Sequence, residues 1–385
     1  MSGFGFPKTP TPQETAGLAW AARLEEEARR FLDSPRNAIG GRFSEKAFDY
    51  PIFGYASAAD PLWTQVLNHG AGMAHWPPLT AFLEGRAKIE PRAKLAWPSH
   101  ADLTVVVFAL PQTEATMADQ RRAKAEPAER WLRSRFAHDR VIGELTEHLR
   151  VFLESQGVEA SVPESARTWK SFPHPDFQIT SMWSHRHAAF VTGLGTFGLS
   201  DGLITKIGKA HRLGSLVCRL RIPPTPRAYA GPYDHCLHFA GRKCGVCVRR
   251  CPAGALSLEG GHDKTLCQNY LNFVGAQVHK YGPFDIRGAY GCGLCQSAVP
   301  CERGLPAGLP EDLRQRGVRT ADWLAVHAEL QREAWATARQ KEDDEARRKA
   351  AGKRRKKPAA DKKAPAKPAA SPAKTTKTAP KTATP

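Results

Sequence analysis

CLHFAGRKCGVCVRRCP (residues 236–252) and YGCGLCQSAVPC (residues 290–301), with Cys267 between them, hold eight of the nine cysteines of this 385-residue chain. Their order is Cys236-x7-Cys244-x2-Cys247-x3-Cys251-Pro252, then Cys267, then Cys292-x2-Cys295-x5-Cys301. A thiolate run that ends in Cys-Pro is a spacing of iron–sulfur ligation, in which the cysteine before proline serves the other of two clusters. A cubane needs four thiolates around a compact inorganic core. A short loop can wrap three corners, and a distant residue supplies the fourth. On that logic Cys236, Cys244, Cys247 and Cys301 hold one [4Fe–4S] cluster, and Cys251, Cys267, Cys292 and Cys295 hold the second. Two other readings stay open. The Cys244/Cys247 and Cys292/Cys295 pairs have zinc-site spacing, although zinc takes four cysteines and leaves four unused. Disulfides are the third possibility, at odds with a reducing compartment. Cys218 stands apart and reads as a small buried hydrophobe of a strand.

The rest of the chain is organised around this block. Thr11 to Asp33 predicts a helix: Thr11 is placed to cap it, Pro12 suits its first position and Glu14 completes a capping box. Leu18, Ala21, Leu24 and Phe31 form its apolar side. ADLTVVVFAL (101–110), rich in valine and bounded by prolines, predicts a buried strand. Arg140 to Gln156 predicts an amphipathic helix through Val141, Ile142, Leu145, Leu149 and Phe152. Val158–Val162 and Leu216–Leu220 predict further strands. The expected fold class is α/β (or α+β) over residues 1–225, a possible corrinoid-binding domain. A ferredoxin-like double-cluster domain follows over 226–310, after the proline-rich linker at Pro223. Residues 311–348 are expected to be a helical extension, with a helix from Asp322 to about Arg348. Residues 349–385 are expected to be a disordered Lys/Ala/Pro-rich tail, because they lack the apolar surface to fold.

The net charge is +18, and 15 Lys/Arg against 5 Asp/Glu lie between Lys341 and Pro385. A tail of that kind suits phosphate backbones without sequence preference; it also suits plain solubility. Met1-Ser-Gly-Phe-Gly-Phe-Pro lacks the features of a secretory signal, and no apolar run approaches the ~18 residues of a bilayer span. The expected location is the cytoplasm, with no membrane partner.

Gly193-Leu-Gly195-Thr-Phe-Gly198 fits GxGxxG, but no Asp or Glu occurs between Asp201 and Asp234. A dinucleotide site wants an acid about 20 residues on. The glycines therefore read as a tight packing turn or as a turn against another cofactor. Beside them His185, Arg186 and His187 form a basic stretch. It is either a solvated surface or a polar site in which Arg186 meets an anionic or amide edge and a histidine moves protons.

His187-Ala-Ala-Phe-Val-Thr-Gly-Leu-Gly-Thr-Phe-Gly-Leu-Ser-Asp-Gly-Leu-Ile-Thr, the Gly214-Ser215 pair, the cysteine block and Asp263-Lys-Thr-Leu-Cys267-Gln-Asn-Tyr-Leu resemble epoxyqueuosine reductase and its relatives, the reductive dehalogenases. The resemblance covers about residues 50–305. It implies an iron–sulfur oxidoreductase in which two [4Fe–4S] clusters pass single electrons to a cobalamin cradled by the N-terminal domain. Gly193, Gly195, Gly198 and Arg186 would then lie at the cofactor. It also implies a ferredoxin- or flavodoxin-type electron donor and, through the tail, contact with RNA or tRNA. The chain departs from the pattern in three places. Seven residues separate Cys236 from Cys244, where the family has two. The last cysteine is Cys301 rather than residue 299. Ile179 stands near the position of the family's acidic proton donor, and His185-Arg186 replaces Glu-Arg. With no acid assigned, catalytic residues stay unknown, and the alternative is a ferredoxin-type electron-transfer protein without substrate chemistry of its own.

Overall fold

The computed structural model describes residues 11–63, 100–165, 171–174, 178–181, 183–281, 291–309 and 347–348. The elements up to residue 309 belong to one compact unit, Met1–Ala338; a second unit comprises Arg339–Pro385. The expected helix from Asp322 lies outside the described residues except for its last two positions.

In chain order the elements are α1 (Pro12–Leu32), β1 (Ala38–Gly40), β2 (Phe43–Lys46), β3 (Ile52–Ser57), β4 (Thr104–Pro111), α2 (Glu114–Arg122), α3 (Glu129–Ser155) and β5 (Ala160–Ser161). Then come β6 (Ser171–His174), β7 (Gln178–Ser181), α4 (His185–Val191), β8 (Gly195–Phe197), β9 (Leu203–Thr205) and β10 (His211–Cys218). The cysteine-rich segment adds α5 (Val246–Arg249), β11 (Leu256–Ser257), β12 (Gly261–His262) and α6 (Lys264–Gln277). The fold is thus mixed helix and sheet, as expected.

Its main sheet runs β3-β4-β10-β5. Every pairing in it is antiparallel, with Val107 opposite Ser215 and Gly54 opposite Val107. Of the two expected classes this is the α+β arrangement. Strand β4 is apolar throughout because both of its faces are covered. Val106, Phe108 and Leu110 face α1 and α3, where they meet Leu24, Phe31, Val141, Leu145 and Leu149. Val105, Val107 and Ala109 face α4 and the β8–β9 hairpin, meeting Ala188, Phe190, Leu194 and Phe197. Among the described residues no helix is long and apolar enough to cross a membrane.

The capping box at Thr11 is present as expected: the Glu14 N–H donates to Thr11 Oγ1 at 3.2 Å, and the Thr11 N–H donates to Glu14 Oε2 at 2.8 Å. Two elements differ from the sequence reading. Helix α3 starts at Glu129 rather than at Arg140. Its first turns, ERWLRSR, hide their purpose behind arginines, yet Trp131, Leu132 and Arg133 are buried. They leave the main sheet and reach toward the cysteine-rich segment. Strand β10 begins at His211 and ends at Cys218 rather than spanning 216–220; the glycine and polar residues of HRLGS mask a ladder that eight residues of β4 complete.

Gly214 sits in this ladder where an added Cβ would lie 2.3 Å from the Phe108 ring and 2.9 Å from Ile142. Phe108 is wholly buried and has nowhere to go. Gly214→Ala is therefore expected to destabilise the unit by about 1–3 kcal/mol through overpacking, read as a lower midpoint in urea unfolding; an unchanged midpoint contradicts the packing.

Candidate functional site

The β8–β9 hairpin is the platform on which the cysteine-rich segment begins. Thr196 Oγ1 accepts the N–H of His235 at 2.9 Å, and the His235 ring bonds the Ile204 carbonyl at 2.9 Å. The Phe197 N–H donates to the Pro232 carbonyl at 2.6 Å. Cys236 is thereby seated among Leu199 and Ile204. The turn from β9 to β10 holds the other end: the Lys209 N–H donates to the Cys301 carbonyl at 2.8 Å, and the Ala210 N–H to Glu302 at 3.0 Å.

The result is one cleft of about 400 Å³ of empty space, partly open to solvent, lined by Cys236, Cys244, Cys247 and Cys301 together with Gly198, Ile204 and Lys209. These are the four cysteines that the spacing logic groups. They surround a space rather than a point: among the described residues no three His, Cys, Asp or Glu side chains converge as they would on a single metal ion.

The other four thiols are likewise neighbours of one another. Burial pushes the Cys267 thiol up to about 12, with Cys295 and Cys251 adding to it. Burial also pushes Cys292 up to about 12; the Leu294 amide opposes it, while Cys295, Cys267 and Cys251 reinforce it. In the first group, burial raises Cys247 to about 11, against the opposing pull of Lys209 and with the support of Cys295, Cys236 and Cys301. Thiolates so crowded need a positively charged centre among them before they can all ionise.

Three side chains that sequence reading did not single out build the second group. Arg250, directly before Cys251, donates to the carbonyls of Leu294 (3.3 Å), Ser297 (3.2 Å), Ala123 (2.7 Å) and Gln120 (3.1 Å). It ties both cysteine loops to the end of α2. The Gln120 amide donates to the Cys292 carbonyl at 2.7 Å and accepts the Ala128 N–H at 2.8 Å. Trp131 packs so tightly under Gly293 (φ +61°) that a Cβ there would lie 2.0 Å from the indole ring. The contacts that tie α2 and α3 to the cysteine loops carry no local sequence signal, because they join segments more than a hundred residues apart.

Around the second group several polar atoms are buried without a hydrogen-bond partner: Trp131 Nε1, Arg212 Nε and Nη2, and Gln296 Oε1. The Arg212 guanidinium lies 5.2 Å from the Trp131 ring centroid. Burial and then Arg135 hold it down to about 9, although Cys295 pulls the other way. Orphaned donors beside thiols fit an acceptor-rich inorganic group, since buried polar groups otherwise find partners.

The glycine turn is built by packing. A Cβ on Gly195 would lie 2.2 Å from the Ile204 carbonyl, and one on Gly193 (φ +83°) would lie 2.9 Å from that of Thr225. Gly198 faces the Ile204 side chain at 3.1 Å and also lines the thiol cleft. Arg186 donates to the Asp201 carbonyl at 2.6 Å and so braces the turn. Within the His185–His187 stretch Arg186 is exposed, while His185 is partly and His187 fully buried. His187 is buried, bonded to Ser184 at 2.8 Å and packed on Phe197. His185 lies between Ser215 Oγ (2.8 Å) and Glu164 Oε2 (2.5 Å), and Trp183 Nε1 donates to the same Ser215 oxygen at 2.8 Å. Ile179 is in strand β7, opposite Pro173.

No family model matches the chain. It is 31% identical over 142 residues to epoxyqueuosine reductase of Staphylococcus aureus and 30% identical over 138 residues to that of Listeria monocytogenes. Each match spans about a third of this chain and a third of the relative (34% of either). Among solved structures, epoxyqueuosine reductase from Bacillus subtilis aligns over 83% of this chain and 82% of its own, at 17% identity and a TM-score of 0.39. The resemblance read from the sequence is thus also a measured sequence similarity.

Cys218 lies apart from both groups, in the core between the sheet and α1/α3, and burial raises its thiol to about 12. Only thiolates alkylate readily. After chelator treatment of the native chain at pH 8, peptide mapping is expected to find Cys244 alkylated and Cys218 unmodified until denaturant is added; early modification of Cys218 contradicts its placement.

Proposed function

We propose that the chain is an iron–sulfur oxidoreductase that carries single electrons on two [4Fe–4S] clusters to an organic substrate, directly or by way of a corrinoid, held by the α+β unit. The observation that supports this reading is the common cleft lined by Cys236, Cys244, Cys247 and Cys301, with the thiols of Cys251, Cys267, Cys292 and Cys295 acting on one another close by. When bound, such clusters supply one-electron transfer at potentials set by charge, hydrogen bonds and exposure.

The chain's own residues perform the remaining tasks. Cys236, Cys244, Cys247 and Cys301 would ligate one cluster, and Cys251, Cys267, Cys292 and Cys295 the other. Arg250 and Gln120 hold the two cysteine loops in register, so that ligands from distant segments meet. Trp131 and Arg212 hold buried N–H groups with no hydrogen-bond partner among the described residues, available to an acceptor in that region. The similarity to epoxyqueuosine reductases supports a reductase substrate of that class, and the basic residues of 341–385 support contact with RNA.

Opening an epoxide requires a proton for the leaving oxygen. Ile179 offers none. The candidate donor in the described residues is His185, whose Nε2 lies 2.5 Å from Glu164 Oε2 and whose Nδ1 lies 2.8 Å from the Ser215 hydroxyl. An apolar residue at the acid position also favours a second reading, a ferredoxin-type carrier that passes electrons from a ferredoxin or flavodoxin to another protein.

Anaerobically purified protein is expected to carry about eight iron and eight sulfide per chain, and Cys251→Ala is expected to lose about half of each. About one zinc and negligible iron overturns the proposal. Cobalt at about one per chain selects the corrinoid route. In a reduction assay on an epoxyqueuosine-containing tRNA stem loop, His185→Gln is expected to be slower by about 10²–10⁴-fold, with cluster reduction by dithionite unaltered. No turnover by the wild type, with fast electron exchange, selects the carrier.

A further inference from the structure

Lys209, between β9 and β10, is 3% exposed. Its ammonium donates to the Ser200 hydroxyl and, at 3.4 Å, to the carbonyl of Cys295 in the second thiol group. Its backbone N–H bonds the carbonyl of Cys301 in the first group, and its side chain lines the cleft of Cys236, Cys244, Cys247 and Cys301. One buried cation therefore reaches both groups. Gly202 makes room for it: a Cβ there would lie 2.4 Å from Lys209 Cε.

No carboxylate among the described residues pairs with Lys209; its ammonium meets only the Ser200 hydroxyl and the Cys295 carbonyl. With clusters bound, their thiolate ligands and inorganic sulfur would be its counter-charge, and in a region of low dielectric a single fixed charge acts strongly on its surroundings.

We propose that Lys209 is a fixed positive charge shared by the two ligand groups, which raises the reduction potential of both clusters. The inference rests on the two-cluster reading above. The step concerned is one electron passing from an external one-electron reductant, which is thereby oxidised, to a cluster. It adds one unit of negative charge within reach of the Lys209 ammonium, and no bond or proton changes place. Arg212 also has Cys295 in its surroundings, but it belongs to the second group alone and stays in place when Lys209 is replaced.

The test is an anaerobic redox titration of the full chain followed by electron paramagnetic resonance, with Lys209→Met, Lys209→Gln and Lys209→Arg. The two neutral variants are expected to hold wild-type iron and sulfide and to show both reduction equilibria weakened at least tenfold, about 59 mV for a one-electron couple. Lys209→Arg is expected to stay within tenfold of the wild type. Unchanged potentials in the Met and Gln variants overturn the inference while leaving the two-cluster reading intact. Loss of iron from the neutral variants but not from Lys209→Arg overturns it, since the charge then serves loading rather than the potentials. Loss from all three overturns it, because shape rather than charge is then what matters. A wild type without iron overturns the two-cluster reading, and this inference with it.

Discussion

Eight thiols gathered into a small volume create the constraint on which the site depends. Thiolates repel one another, and burial disfavors their charge further. The fold answers this locally with cations and donors: the Lys209 ammonium lies 3.4 Å from the Cys295 carbonyl, its backbone N–H bonds the Cys301 carbonyl, and Arg250 binds two carbonyls of the second cysteine loop and two at the end of α2. The proposed clusters would complete that balance. Without positive charge at their centre, so many sulfurs in one place would push apart rather than hold the segment together.

The main sheet serves this site at a distance. Strand β10 is central, and the turn that leads into it carries Lys209 and the hydrogen bonds to Cys301 and Glu302. Helix α3 packs its middle turns on β4 and β10, and its first turns put Trp131 against Gly293. The β8–β9 hairpin covers the opposite face of the sheet and seats Cys236. Each cysteine loop is thus pinned to an element whose own position is set by the apolar core. Rigid neighbours of this kind hold ligands at fixed spacing, which a flexible loop cannot do. The polar network of Glu164, His185, Ser215 and Trp183 lies on the same face as the hairpin, supported by β10 through Ser215.

Much of this was legible in the residues. The capped first helix follows from Thr11, Pro12 and Glu14, the buried strand from a valine run, and the later part of α3 from apolar residues at helical spacing. That Cys236, Cys244, Cys247 and Cys301 line one cleft accords with a loop that wraps three corners and a distant residue that adds the fourth. The first turns of α3 were not legible, because arginines there are buried against backbone and carboxylate partners that the local sequence does not show. Nor was the early start of β10, whose glycine and polar residues look like a turn until β4 is beside them. His185-Arg186-His187 reads first as exposed charge; the fold leaves Arg186 exposed but buries His187 and flanks His185 with Glu164 and Ser215.

By itself the sequence determined which atoms are available for the chemistry: eight sulfurs within one stretch, a glycine turn without the acidic partner of a dinucleotide site, and a basic extension. These are properties of residue type and spacing, which survive any folding. The tertiary structure alone decided which charges stand beside those sulfurs. Lys209 and Arg212 read as ordinary basic residues at a strand's edge. They become buried partners of cysteines more than eighty residues away because the β4–β10 ladder and the core on its two faces carry them there, and burial is what gives a single charge its reach.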